Sequence, residues 1–163
     1  MINTLFRSAN AYRNTYIYIV TIRRYSLGQR VTKKVILDSN FLFVPLQFKI
    51  DIFEGITKLL NQRVEPIILS PIHRELQRMT ENPSLKLRRQ ASVALKLAAK
   101  CKIINVEKNR EETNDDVIVR VATEWGNCPV ATNDRELRKR LRNINIPVIY
   151  LRQKSRFELE GSI

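Results

Sequence analysis

Four acidic residues, Asp38, Glu75, Asp116 and Asp134, occur at comparable points of a repeating pattern in which a short apolar run leads into a turn or a helix. Asp38 comes straight after Val35-Ile36-Leu37, and Asp134 follows Val130-Ala131-Thr132-Asn133. Glu75 and Asp116 fall in the first turns of helices that such runs feed. If the runs are strands of one sheet, the four carboxylates gather at one edge, where like charges raise one another's pKa unless a cation or a basic partner sits among them. A hard divalent ion removes that conflict. Mg²⁺ or Mn²⁺ is expected, because the donors are all oxygens and the chain has one histidine and two cysteines. Lewis-acid activation of water, with neutralisation of charge on a phosphate, amounts to phosphodiester hydrolysis.

Each acid also has a plainer reading. Asp116 has capping-box spacing with Thr113, Asp134 suits a helix N-terminus, Glu75 suits the surface of an amphipathic helix, and Asp38 suits a turn. Asp115 replaces Asp116 if the helix phase differs by one residue. Glu136 is either an outer ligand or part of a cap. Asn40 and Thr132 can orient carboxylates or water, or can serve ordinary turns. Asp51 and Glu54 point away from the expected edge. On the helix after Asp134, Arg135, Arg138, Lys139, Arg140 and Arg142 crowd together and cannot all face one way, but one or two of Arg135, Arg138, Lys139 and Arg142 can bind phosphates flanking the cut. His73 lacks an orienting carboxylate at a recognisable spacing, Trp125 lies on an apolar helix face, and no glycine pattern suggests a nucleotide cradle.

The elements that must position these residues are legible as alternation. Strands are expected over 35–37, 66–69, 101–106, 129–131 and 147–151. One helix is expected through Ile50 to Leu60, and another opens with Ser70 as N-cap and Pro71 behind it. A longer helix over 84–100 should bury Leu87, Ala91, Ala94, Leu95 and Ala98. The next opens at Thr113 and ends at Gly126-Asn127, and the last is capped by Asn133 with Glu136. Short apolar strands alternating with helices indicate an α/β fold with a parallel sheet covered on both faces. Such sheets bind ligands beyond the strands' carboxyl ends, where the chain order reverses.

A chain of 163 residues with 44% apolar content fits one domain with an appendage. Its 29 basic and 16 acidic residues leave a net +13, which draws polyanions, nucleic acid first. The cysteine count suggests neither a disulfide framework nor a zinc site and suits a reducing, cytoplasmic setting. The apolar run at 17–22 is too short to cross a bilayer. Residues 1–37 hold seven basic and no acidic side chains. That composition allows a targeting peptide, an added strand, an RNA-contacting arm, or an extension whose true start lies further in.

These residues resemble the PIN nuclease family, in its archaeal branch related to VapC-type toxins and to the PIN endonuclease of small-subunit rRNA processing. The resemblance lies in Val35-Ile36-Leu37-Asp38-Ser39-Asn40-Phe41-Leu42, Leu69-Ser70-Pro71-Ile72-His73-Arg74-Glu75-Leu76, Asn114-Asp115-Asp116-Val117-Ile118, Val130 through Leu137, and Ile146 through Arg152. It implies a PIN-like three-layer α/β/α domain over 34–153 with a central parallel sheet of about five strands. A basic N-terminal extension over 1–33 would precede it and a tail over 154–163 would follow. It also implies Mg²⁺- or Mn²⁺-dependent cleavage of single-stranded or structured RNA, commonly by a homodimer. The family acids fall on Asp38, Glu75, Asp116 and Asp134, and its polar supporting positions on Asn40 and Thr132. The expected partner is RNA, with an antitoxin if the chain is a toxin and pre-ribosomal proteins if it processes rRNA. A non-catalytic RNA-binding module and a DNA-directed nuclease are the competing classes.

Overall fold

Val35, Ile36 and Leu37 alternate to both faces of a strand yet are all fully buried, as expected of a central strand covered on both sides. They belong to β1 (Lys33–Leu37) in a computed structural model that describes residues 32–163. The expectations for the basic extension fall outside the described residues, apart from its last positions, where Lys33 opens β1.

The other strands are β2 (Val64–Leu69), β3 (Lys102–Ile104), β4 (Val130–Ala131), β5 (Val148–Arg152) and β6 (Arg156–Glu160). They form one sheet in the order β3-β2-β1-β4-β5-β6, parallel except for the β5–β6 hairpin. From β1 the chain moves outward through β2 to β3, then returns to place β4 on the other side of β1. The reversal therefore falls between β1 and β4, whose register aligns Ile36 with Val130 and Leu37 with Ala131.

The helices are α1 (Val44–Phe48), α2 (Ile52–Leu60), α3 (Ser70–Met79), α4 (Leu85–Ala98), α5 (Asn114–Glu124) and α6 (Arg135–Asn143). A 3₁₀ segment (Ser39–Phe43) links β1 to α1. Their apolar sides close one core with the sheet: Phe41, Ile56, Ile72, Leu76, Ala94, Ala98, Ile118, Leu137 and Leu141 are buried against its strands. None of the described helices is long and apolar enough to cross a membrane.

Four local expectations are corrected. The helix expected from Ile50 starts instead at Ile52, because Lys49 adopts φ 56° and Asp51 caps α2 by accepting the N–H groups of Phe53 and Glu54. Ser70 is no cap, since its hydroxyl is tied to both the carbonyl and the N–H of Val106 beyond β3. Leu87 faces solvent, and the buried stripe of α4 is Ala91, Ala94 and Ala98. A sixth strand, β6, lies where a tail was expected, with Phe157 5.4 Å from Phe41, centroid to centroid.

Candidate active site

Asp38 leaves β1 at the point where the chain order reverses, and the neighbouring β4 sets Thr132 beside it. The Thr132 hydroxyl, itself fully buried, donates to Asp38 Oδ2 at 2.8 Å and accepts the N–H of Asp134 at 3.0 Å. A three-membered chain, Asp134 N–H to Thr132 Oγ1–H to Asp38 carboxylate, thus couples the exits of the two strands. Asn40 completes the frame by accepting the N–H of Asn133 at 3.1 Å. Asn133 in turn accepts the N–H of Leu151 on β5 at 2.8 Å. Thr132 thus hydrogen-bonds the Asp38 carboxylate, and Asn40 and Thr132 both hydrogen-bond the backbone at the β4 exit. Asn133, expected as a helix cap, serves as the strut between the β4 exit and β5, a role its sequence position does not signal.

Asp134 is the cap that Asn133 is not. Its Oδ1 accepts the N–H groups of Glu136 and Leu137 at 2.8 and 3.0 Å, which leaves Oδ2 outside the cap. The Glu136 side chain is exposed, and its backbone supplies the contact. Glu75, half-buried on α3, accepts the side-chain amide of Asn114 at 3.0 Å through Oε2. The same Asn114 accepts Lys108 at 2.9 Å, so it ties α5 to α3. Its place beside Asp115 is the only sequence signal it offers.

The start of α5 gives the two adjacent aspartates different environments. Asp116 closes the capping box: it accepts from the backbone N–H of Thr113 at 2.8 Å, while the Thr113 hydroxyl accepts the N–H of Asp116 at 3.1 Å. Arg140 of α6 also donates to Asp116. These bonds from Thr113, and then that from Arg140, hold the Asp116 carboxyl well below the usual carboxylate range. Asp115 has the opposite environment. Burial pushes its carboxyl up, and the negative charges of Asp134, Asp116 and Glu75 push the same way against Arg140.

Asp115 thus feels the charges of Asp134, Asp116 and Glu75, and Asp38 those of Asp115 and Glu75, while the Asp116 carboxylate itself is bonded to the cap and to Arg140. Asp38, 5% exposed, is pushed up to about 6, chiefly by burial and further by the charges of Asp115 and Glu75, against the lowering bond from Thr132. Among the described residues no three His, Cys, Asp or Glu side chains close into a ready-made ion cage. Asp134 and Glu75 instead hold protein donors, the arrangement that spares crowded anions a closer approach. The donor chemistry nonetheless fits a hard divalent cation: oxygen ligands from separate segments, one deeply buried, whose mutual repulsion a cation would relieve.

Beside Asp134, Arg135, Arg138, Lys139 and Arg142 line a common cavity of about 480 Å³ with Asn143 and Glu160. Of the five basic side chains that crowd α6, these four share one opening, while Arg140 turns to Asp116. His73 lies partly exposed on α3, and Cys101 and Cys128 are buried free thiols pushed up to about 12 and about 11 by burial, too high for thiolate chemistry at neutral pH. Trp125 ends α5 half-buried, with the Lys34 ammonium 5.1 Å from its ring centroid, and packs against the core.

Comparison with known proteins agrees with this architecture. The model of a family described as a PIN like domain matches residues 35–154. Ribonuclease VapC4 of Methanocaldococcus jannaschii is 38% identical over 130 residues, which cover 80% of this chain and 98% of that protein. The rRNA-processing protein fcf1 of Schizosaccharomyces pombe is 33% identical over 117 residues, 71% of this chain, and the match spans only 57% of fcf1. The solved structure of the PIN domain endonuclease Utp24 superposes with a TM-score of 0.64 at 30% identity, covering 80% of this chain and 92% of that one. By its matched segment and its relatives, this chain belongs to the PIN domain family of nucleases.

Proposed function

We propose that this PIN nuclease is a divalent-metal-dependent endoribonuclease in which Asp38, Glu75, Asp115 and Asp134 hold Mg²⁺ or Mn²⁺. The observation that carries the assignment is the divided environment of the adjacent pair: Asp115, half-buried, feels the negative charges of Asp134 and Glu75, whereas Asp116 is spent on a cap and Arg140. A bound divalent ion would supply Lewis-acid activation of water and neutralisation of charge on the scissile phosphate. The chain's own part is positional. Thr132 fixes the Asp38 carboxylate, Asn40 and Asn133 brace the loop after β4, and Asn114 steadies Glu75. Arg135, Arg138, Lys139 and Arg142 would bind flanking phosphates.

The biological substrate is a structured or single-stranded RNA, with an rRNA precursor favoured. Support comes from the 30% identical Utp24 PIN endonuclease and from fcf1. The second reading, a toxin ribonuclease restrained by an antitoxin, is favoured by VapC4, which this chain matches along nearly its whole length. Pre-ribosomal proteins are the partners in the first case and an antitoxin in the second, in either case within a reducing cytoplasm that suits two free buried thiols. A homodimer is part of both readings.

The deciding experiment incubates the full chain with single-stranded and structured RNAs in Mg²⁺, Mn²⁺ or chelator and maps the product ends. We expect cleavage in the metals and none in chelator. Asp115→Asn should lower the rate at least about 100-fold, the scale on which removing a group that acts with the metal is felt, whereas Asp116→Asn should keep cleavage within a few-fold and lower Tm. Equal losses in both variants, or cleavage in chelator, would refute the ligand set.

A further inference from the structure

Among the described residues Glu160 is the one carboxylate lining the cavity along α6, and it is shared by two arginines. Its Oε2 takes Arg138 at 3.3 Å and its Oε1 takes Arg142 at 2.7 Å. A phosphodiester carries its charge on two non-bridging oxygens, so a carboxylate bridging two guanidinium groups has the shape of a phosphate stand-in. Arg138 is set rigidly for such a ligand: its guanidinium lies 3.5 Å from the Tyr150 ring centroid, and the Tyr150 hydroxyl is anchored to Glu158 at 2.9 Å. Arg135 and Lys139 line the same cavity and, among the described residues, make no ion pair. Four cations against one acid therefore leave an anion-attracting strip that begins beside Asp134.

We propose that this strip binds successive backbone phosphates of RNA on one side of the cut, and that Glu160 occupies a phosphate's place there until RNA displaces it. The proposal rests on the nuclease reading for the identity of the polyanion. Continuity with Asp134 favours a polymer over a free ion, because a strand whose scissile bond lies at the acids continues naturally onto α6, whose positions 135 and 142 are about 10 Å apart along the helix axis. Arg142 is about half exposed and its pair with Glu160 contributes little, so exchanging the carboxylate for a phosphate there is inexpensive. Glu160 thereby weakens all RNA binding and favours RNAs that reach far enough along α6 to displace it.

The test is equilibrium binding of a labelled single-stranded RNA to the full chain in chelator, read by fluorescence anisotropy across a salt series. Glu160→Gln should tighten Kd by about 3–10-fold at fixed salt. Arg142→Ala should weaken it comparably and reduce the slope of log K against log salt by about 0.7, the loss of one phosphate contact on a single strand. Arg142→Lys should restore the slope. The two variants act in opposite directions, so either one that folds decides the matter, and Tm identifies which do. Unchanged Kd and slope in both, or capture of polyglutamate in preference to RNA, would overturn the proposal. Wild-type cleavage with no effect of these variants would reject the strip and keep the nuclease, whereas the expected binding shifts without cleavage in any metal would do the reverse.

Discussion

A carboxyl group at 5% exposure that ionises near pH 6 makes Asp38 a source of instability at neutral pH, and this has a measurable sign. The folded chain holds the proton up to about 6, whereas an unfolded chain releases it near the ordinary value of 3.8. Below the lower value both states are protonated and Asp38 takes nothing from stability. Between the two the unfolded chain ionises first, and above about 6 the full difference is lost, about 3 kcal/mol at 1.36 kcal/mol per pKa unit. In chelator, therefore, unfolding free energy should fall from about pH 4 to about pH 6, and Asp38→Asn should remove much of that fall and raise stability at about pH 7.5 by roughly 1–3 kcal/mol while abolishing cleavage. Denaturant titrations of both proteins at the low and high ends of that range test it. An Asp38→Asn variant no more stable than wild type at the higher pH would mean that the Asp38 carboxylate is well compensated without metal.

At the scale of elements, β6 and α2 are joined through a contact that depends on a missing side chain. Gly55 sits inside α2, and a Cβ there would overlap the Phe157 ring, which itself rests on Phe41 behind the Asp38 turn. Gly55→Ala gains about 1 kcal/mol of helix propensity but must displace an aromatic ring, a cost of about 1–3 kcal/mol in a packed core. A net loss of stability with unchanged cleavage per folded molecule is expected from denaturation and activity measured together; a stabilised variant would show that Phe157 moves aside freely. This hairpin also marks where the sequence is hard to read. The central parallel strands β1 and β4 appear as apolar runs closed by polar turns because both their faces are covered. The Arg156–Glu160 strand alternates charged and apolar residues, the pattern of a half-solvated antiparallel edge, and so resembles a tail. The site is legible to the same degree. Asp38, Glu75 and Asp134 follow from strand ends and first helical turns, but the choice between Asp115 and Asp116 turns on the phase of α5. Thr113 holds the clue, since an aspartate committed to its capping box is drawn away from the other acids. Arg140, which also donates to Asp116, comes from 24 residues further on and could be paired with it only by the fold.

The whole molecule carries +13, yet in the proposed nuclease acids gather where a phosphodiester would come closest. Those two facts are reconciled by distance. Positive charge spread over the surface acts on the many phosphates of an RNA, whereas the acids act on one, and the cation they would hold offsets the local repulsion. Electrostatics should consequently govern arrival and retention of RNA far more than the chemical step. If about five phosphates are contacted, a slope of about −0.7 per phosphate predicts that raising salt from about 0.1 to 0.3 M lowers kcat/KM by roughly 50-fold. Single-turnover cleavage at saturating RNA should change no more than about twofold, because the bound strand has already displaced its counterions and short-range contacts inside a partly buried site are weakly screened. Single-turnover rates measured over a range of protein concentration at each salt separate the two quantities. A saturated rate that collapsed in parallel with kcat/KM would mean that the general positive charge acts within the chemical step itself, and the division of labour between a cationic surface and an acidic centre would fail.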